Sequence, residues 1–168
     1  YYRRKIMILN IKKILNGYKI IDDEKKETIF IKNGSLLSPK KNIIKDNSII
    51  YKTDIIIENE KTKYVIKNKE NNVLVKASLN YKNNNSIIKP PKVDLLLLST
   101  PYGEWKIKQD KNSNVLISSE NIVFGKITPF LTLQHQKFNC SNEFEIDFWA
   151  AMYVLCYYMV HEDDLITV

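Results

Sequence analysis

The chain reads as mainly β, a sandwich or barrel of short antiparallel strands with a β-rich N-terminal extension. Two observations carry that reading. Apolar and polar residues alternate with period two along several segments, which is the mark of half-buried strands. The connections between them are written in Asn and Asp, which tolerate turn geometry, while only four glycines occur.

The elements follow in order. Strands are expected near Thr28–Lys32, Ile49–Glu58 and Lys63–Lys67. Val73, Val75, Ala77 and Leu79 alternate with Leu74, Lys76 and Ser78. Trp105 and Ile107 alternate with Glu104, Lys106 and Lys108. Phe144, Ile146 and Phe148 alternate with Glu145 and Asp147, and by the same signal they read as a strand. Asn33-Gly34, Asn71-Asn72, Asn83-Asn84-Asn85, Lys111-Asn112-Ser113-Asn114 and Glu162-Asp163-Asp164 mark turns. The polar stretch Asn83–Pro91, stiffened by Pro90 and Pro91, reads as a linker. It divides a basic extension, residues 1–91, from a domain at 92–168.

The 168 residues carry a net charge of +7. That suits nucleic acid or an anionic membrane as partner. Nucleic acid is disfavoured, because arginine, the bidentate reader of phosphate and guanine, occurs only at Arg3 and Arg4. Lys, Ile and Asn are over-used together, and all three have AT-rich codons, so part of the charge reads as compositional drift. Tyr1–Ile21 has no acidic residue. It reads equally as an organelle-targeting segment and as a basic helix or edge strand.

Catalytic patterns are missing. His135 and His161 are far apart and neither stands in metal-ligand spacing with Cys140 or Cys156. The two cysteines read as buried thiols in a reducing compartment. No phosphate-binding glycine loop and no nucleophile elbow occurs. A non-catalytic protein without cofactor or metal is the expectation. The longest apolar run, Phe148–Val160, is short of the roughly 18 residues needed to span a bilayer. Its aromatics Phe148, Trp149, Tyr153, Tyr157 and Tyr158 read as core or subunit interface.

Four stretches of residues 92–168, in order and spacing, resemble the N-terminal β-sandwich of the ε subunit of F-type ATP synthase, called δ in mitochondria. They are Leu95–Glu104, Val115–Gly125, Thr128–Leu133, and Phe148–Tyr158 with the terminal Glu162–Val168. The resemblance implies a rotor-stalk subunit, peripheral to the mitochondrial inner membrane on its matrix side. Its partners would be the γ shaft subunit and the membrane rotor ring. Glu120 and Asn121 would approach the ring, and a strand hairpin carrying Met152, Tyr153, Tyr157 and Tyr158 would meet the shaft. It also implies that a fragment starting at residue 92 folds alone.

A second set of residues resembles the lipid-binding β-barrels of phospholipid scramblases and tubby-like proteins. Phe124-Gly125-Lys126-Ile127 is similar to a late strand of that family, and Phe148–Val160 to its terminal buried helix. That resemblance implies a basic surface that meets anionic lipid, with Asp147 as the cap of a 13-residue helix. An accessory subunit of another large assembly, such as a ribosome, is a third reading. The conformation of residues 148–160 separates the first two: a hairpin for the rotor stalk, a helix for the lipid-binding barrel.

Overall fold

Period-two alternation continues through much of the chain, and in the computed structural model it produces twelve strands among the described residues. The structure describes residues 5–81, 92–128 and 135–161. The strands are β1 (Ile6–Ile14), β2 (Gly17–Asp22), β3 (Thr28–Asn33), β4 (Lys41–Lys45), β5 (Ser48–Glu58), β6 (Lys61–Asn68), β7 (Val73–Tyr81), β8 (Val93–Thr100), β9 (Gly103–Gln109), β10 (Val115–Ser119), β11 (Ile122–Thr128) and β12 (Gln136–Ser141). One helix among the described residues, α1 (Ile146–Val160), follows.

Each strand pairs antiparallel with the next, and β12 returns to pair with β1, Leu9 opposite Phe138. The sheet is therefore a closed up-and-down barrel, not a sandwich. Closure leaves no unpaired edge. The strands β1–β7 and β8–β12 belong to one sheet, and β7 pairs directly with β8, Ala77 opposite Leu98. The expected boundary after residue 91 therefore does not divide the barrel. The expected linker Asn83–Pro91, the Thr128–Leu133 stretch beyond Thr128 and the terminal Glu162–Val168 strand lie outside the described residues.

Three hairpins use two-residue turns with both residues at positive φ: Asp46-Asn47, Asn59-Glu60 and Glu120-Asn121. This left-handed geometry matches the twist of the flanking strands, and Asn and Asp adopt it with little strain. Gly17 opens β2 at φ 152°, where a Cβ would lie 1.8 Å from the Ile31 carbonyl oxygen. No other residue type fits there.

The inward face repeats Leu9, Ile11, Ile20, Ile29, Ile31, Ile43, Ile66, Val75, Ile107 and Ile117, all buried. Into this lumen runs α1. Residues 148–160 are helical, so the expected strand through Phe144–Phe148 and the hairpin after it are corrected. Three alternating apolar residues are a short signal, and the run behind them is apolar on every side. A helix that is hydrophobic all round belongs inside a protein. Ala150, Ala151, Met152 and Leu155 add strong helix propensity. Of the 15 residues, 12 are buried. The helix begins earlier than expected. Glu145 stands at the cap position with no side-chain cap bond, and Asp147 lies in the first turn, its Oδ1 accepting from the Phe148 amide at 2.7 Å.

Trp149 anchors the packing. Its ring contacts Trp105, Phe124, Phe138 and Phe144 at centroid distances of 5.3 to 5.9 Å. Its Nε1–H donates to the Ser141 carbonyl at 2.8 Å. The polar tips of the helical tyrosines are met by the wall. Tyr153 donates to Gln136 Oε1 at 2.7 Å. Tyr158 lies 2.9 Å from Thr53 Oγ1 and donates to the Pro39 carbonyl at 2.5 Å. Tyr64 donates to the Tyr158 carbonyl at 3.3 Å. Satisfied polar groups allow tyrosine to be buried without the penalty of an unmade hydrogen bond.

Because the helix and the wall need each other, the fragment 92–168, holding five of the twelve strands and α1, is expected not to fold. Far-UV and near-UV circular dichroism of that fragment checks this. A cooperative unfolding transition in the fragment would show that the two parts are independent.

Candidate functional site

With α1 in the lumen, the chemistry open to partners lies on the outer face. Among the described residues no three His, Cys, Asp or Glu side chains are placed to hold a metal ion. Cys140 and Cys156 are both buried. Burial pushes both thiols up, so they stay protonated and poorly nucleophilic.

Three of the four shaft-contact residues expected from the sequence are not on the surface. Met152, Tyr153 and Tyr158 are buried in the lumen. Tyr157 is half-buried, its ring 5.9 Å from that of Tyr18 and below the Lys41 ammonium. Met152, Tyr153 and Tyr158 cannot meet another subunit unless the barrel opens. Glu120 and Asn121 do lie at a hairpin tip, between β10 and β11.

Two outer grooves are candidates. The larger, about 710 Å³, runs over β7–β10 and is lined by Lys76, Ser78, Ser99, Tyr102, Lys106 and Glu120, among others. Its two lysines face two acids, Glu104 and Glu120. Lys76 is also engaged by Glu58 at 2.7 Å. The larger groove is thus close to neutral.

The smaller groove, about 320 Å³, lies over β4–β6 and includes Lys40, Asn42, Lys52, Asp54, Lys67 and Asn71. Three lysines stand against one aspartate. Strand register builds this charge. Lys32 on β3 is opposite Asn42 on β4, Asn42 is opposite Lys52 on β5, and Lys52 is opposite Lys67 on β6. The four residues form one row across the outer face. Like charges directly opposite destabilise a sheet. The Lys52 Nζ donates to Asn71 Oδ1 at 3.2 Å, a neutral partner that leaves its charge in place. Lys40 enters from the β3–β4 loop, whose Gly34 amide donates to the Lys40 carbonyl at 2.8 Å. At the β3 end of the row, Lys32 and the neighbouring Lys19 lie 5.6 and 5.9 Å from the ring of Phe30.

A phosphate-bearing ligand is the chemistry this groove fits, because ammonium and amide donors converge there. Sequence reasoning missed it. Lys32, Lys52 and Lys67 form no linear motif, and only the register brings them together. The available signal was lysine in the outward phase of successive strands.

Comparison of the chain with protein-family models, curated proteins and solved structures finds no match.

Two half-buried tyrosines, Tyr18 beside the C-terminal half of α1 and Tyr51 beside its first turn, set an alkaline limit. Burial, then Tyr157, pushes Tyr18 up to about 12. Burial, then Asp147, pushes Tyr51 up to about 12. An unfolded tyrosine releases its proton near 10.0. Between those values the unfolded chain binds fewer protons than the folded one, so stability falls as pH rises. Urea denaturation at stepped pH is expected to show this contribution intact below about pH 10 and lost by about pH 12. A midpoint that does not move across that window would contradict it.

Proposed function

We propose that this barrel is a non-catalytic domain that binds anionic membrane surfaces, of the kind represented by scramblase and tubby-like lipid-binding barrels. The observation that carries the reading is α1 inside a closed twelve-stranded barrel. The two resemblances make opposite demands on residues 148–160. The rotor-stalk reading needs a strand hairpin with accessible tyrosines, and these residues are helical and mostly buried. It is therefore not carried forward.

The electrostatics supports the same reading. The net charge is +7, and the outer face of β3–β6 gathers lysines in register. Basic side chains near an anionic leaflet are attracted by its surface potential, and lysine serves there as a point charge. No helix among the described residues is long and apolar enough to cross a membrane. In this reading the barrel is a rigid body that presents headgroup-binding lysines, and the enclosed helix gives it stiffness.

Co-sedimentation with phosphatidylcholine vesicles, with and without phosphatidylserine, tests the proposal. Binding is expected only with the anionic lipid and is expected to weaken with salt. Lys52→Gln with Lys67→Gln is expected to cost about 2 kcal/mol, roughly 30-fold in affinity, at about 1 kcal/mol per charge. Equal binding to both vesicle types, or to neither, would overturn the proposal.

A further inference from the structure

The up-and-down topology places alternate connections at the same end of the barrel. Among the described residues, the four large apolar side chains that are more than three-quarters exposed all sit at one end. They are Leu15 at 98 %, Leu36 at 99 %, Leu37 at 92 % and Ile57 at 79 %. Leu15 lies in the β1–β2 turn, Leu36 and Leu37 in the β3–β4 loop, and Ile57 near the tip of the β5–β6 hairpin. Scattered exposed apolar residues are ordinary, but such a cluster on neighbouring turns is not.

The leucine loop is a built element. The Ser35 and Ser38 hydroxyls are 2.6 Å apart. Tyr158 reaches out of the lumen to donate to the Pro39 carbonyl. The Asn33 amide donates to the Asn16 carbonyl at 3.4 Å, tying this loop to the turn that carries Leu15. The loop is thus fastened to the barrel mouth while its leucines point away from the core.

Charge decides what covers them. Residues 1–21 and 28–45 contain no Asp or Glu. Lys12, Lys13, Lys32 and Lys40 are exposed around the leucines. Lys12 and Lys19 stand directly opposite each other on β1 and β2. Ile57, by contrast, is followed by Glu58 and Glu60, with Glu58 held by Lys76. An apolar tip flanked by the lysines of β1–β4 complements an anionic bilayer: hydrocarbon accepts the tip and headgroups face the lysines. The lysine-lined groove shares Gly34 and Lys40 with this loop.

We propose that Leu36 and Leu37, with Leu15 beside them, form a membrane-inserting tip that docks this end of the barrel on an anionic bilayer. The Gly34 and Lys40 edge of the groove then lies at headgroup level. This rests on the membrane-binding reading above and adds the docking end and the insertion.

The test uses the full chain and vesicles of phosphatidylcholine with phosphatidylserine. Leu36→Asp with Leu37→Asp changes exposed residues only, and circular dichroism verifies its fold. Ile122→Asp with Val123→Asp, at the opposite end and about half exposed, is the matched control. Leu36→Cys carries an environment-sensitive fluorophore, since Cys140 and Cys156 are buried and shielded from labelling. The loop variant is expected to lose vesicle affinity by about tenfold or more, since the apolar transfer is removed. The control is expected to bind as the wild type does, and the probe is expected to shift to the blue on vesicle addition. Wild-type binding with an unaffected loop variant, or an unshifted probe, would overturn the docking end and leave lipid binding standing. Loss of a dimer in the loop variant with unchanged vesicle binding would make the tip a self-association surface and overturn it too. Failure of the wild type to bind would remove the membrane reading itself.

Discussion

The structure depends on one packing relationship: a helix that is apolar on every side, enclosed by a sheet whose inner face is apolar. Neither part can stay in water alone. The inner faces of twelve strands would enclose a void without α1, and α1 would expose Trp149, Tyr153 and Tyr158 without the strands. Dispersion contacts of closely packed rings and satisfied tyrosine hydroxyls hold the two together. Gly125 belongs to the same fit. It faces inward between Ile117 and Cys140, and a Cβ there would come within 3.3 Å of the Phe138 ring and 3.2 Å of Ile117 Cβ. Phe138 in turn packs on Trp149.

Filling the lumen moves function outward. A barrel of this kind has a surface made of alternate residues from every strand, so its chemistry is set by register and not by local sequence. Here the register puts Lys52 against Lys67 and Lys12 against Lys19. Such pairs oppose folding slightly. An anionic surface removes that repulsion. The same surface would receive the exposed leucines of the β3–β4 loop, whose exposure the fold otherwise leaves without purpose. The proposed anionic surface would offset both the unfavourable charge pairs and the unfavourable apolar exposure.

Much of the fold was legible, because strand alternation and Asn- or Asp-led turns are local signals. The β7 and β9 segments lie where Val73–Leu79 and Trp105–Ile107 alternate, and the turn pair Asn71-Asn72 falls between β6 and β7. Barrel closure was not legible. It depends on β1 meeting β12 across more than a hundred residues, and no residue pattern encodes that partner choice. The prolines at 90 and 91 resemble a domain boundary because a connection between paired strands and a linker share composition. The α1 segment was misread at its start, where Phe144, Ile146 and Phe148 mimic a strand before the helix takes over. The candidate site was largely hidden. Its lysines come from separate strands, and their abundance resembles codon drift until the register aligns them.

Native-state hydrogen exchange of the α1 backbone amides tests the central claim most directly. If the helix is enclosed by a closed barrel, the amides of Tyr153 to Met159 exchange only when the whole protein unfolds, with the free energy of global unfolding and together with the β1 and β12 amides that close the sheet. Exchange of α1 with a markedly smaller free energy than the strands, or independent of denaturant, would mean that the helix leaves the lumen on its own and would contradict the account.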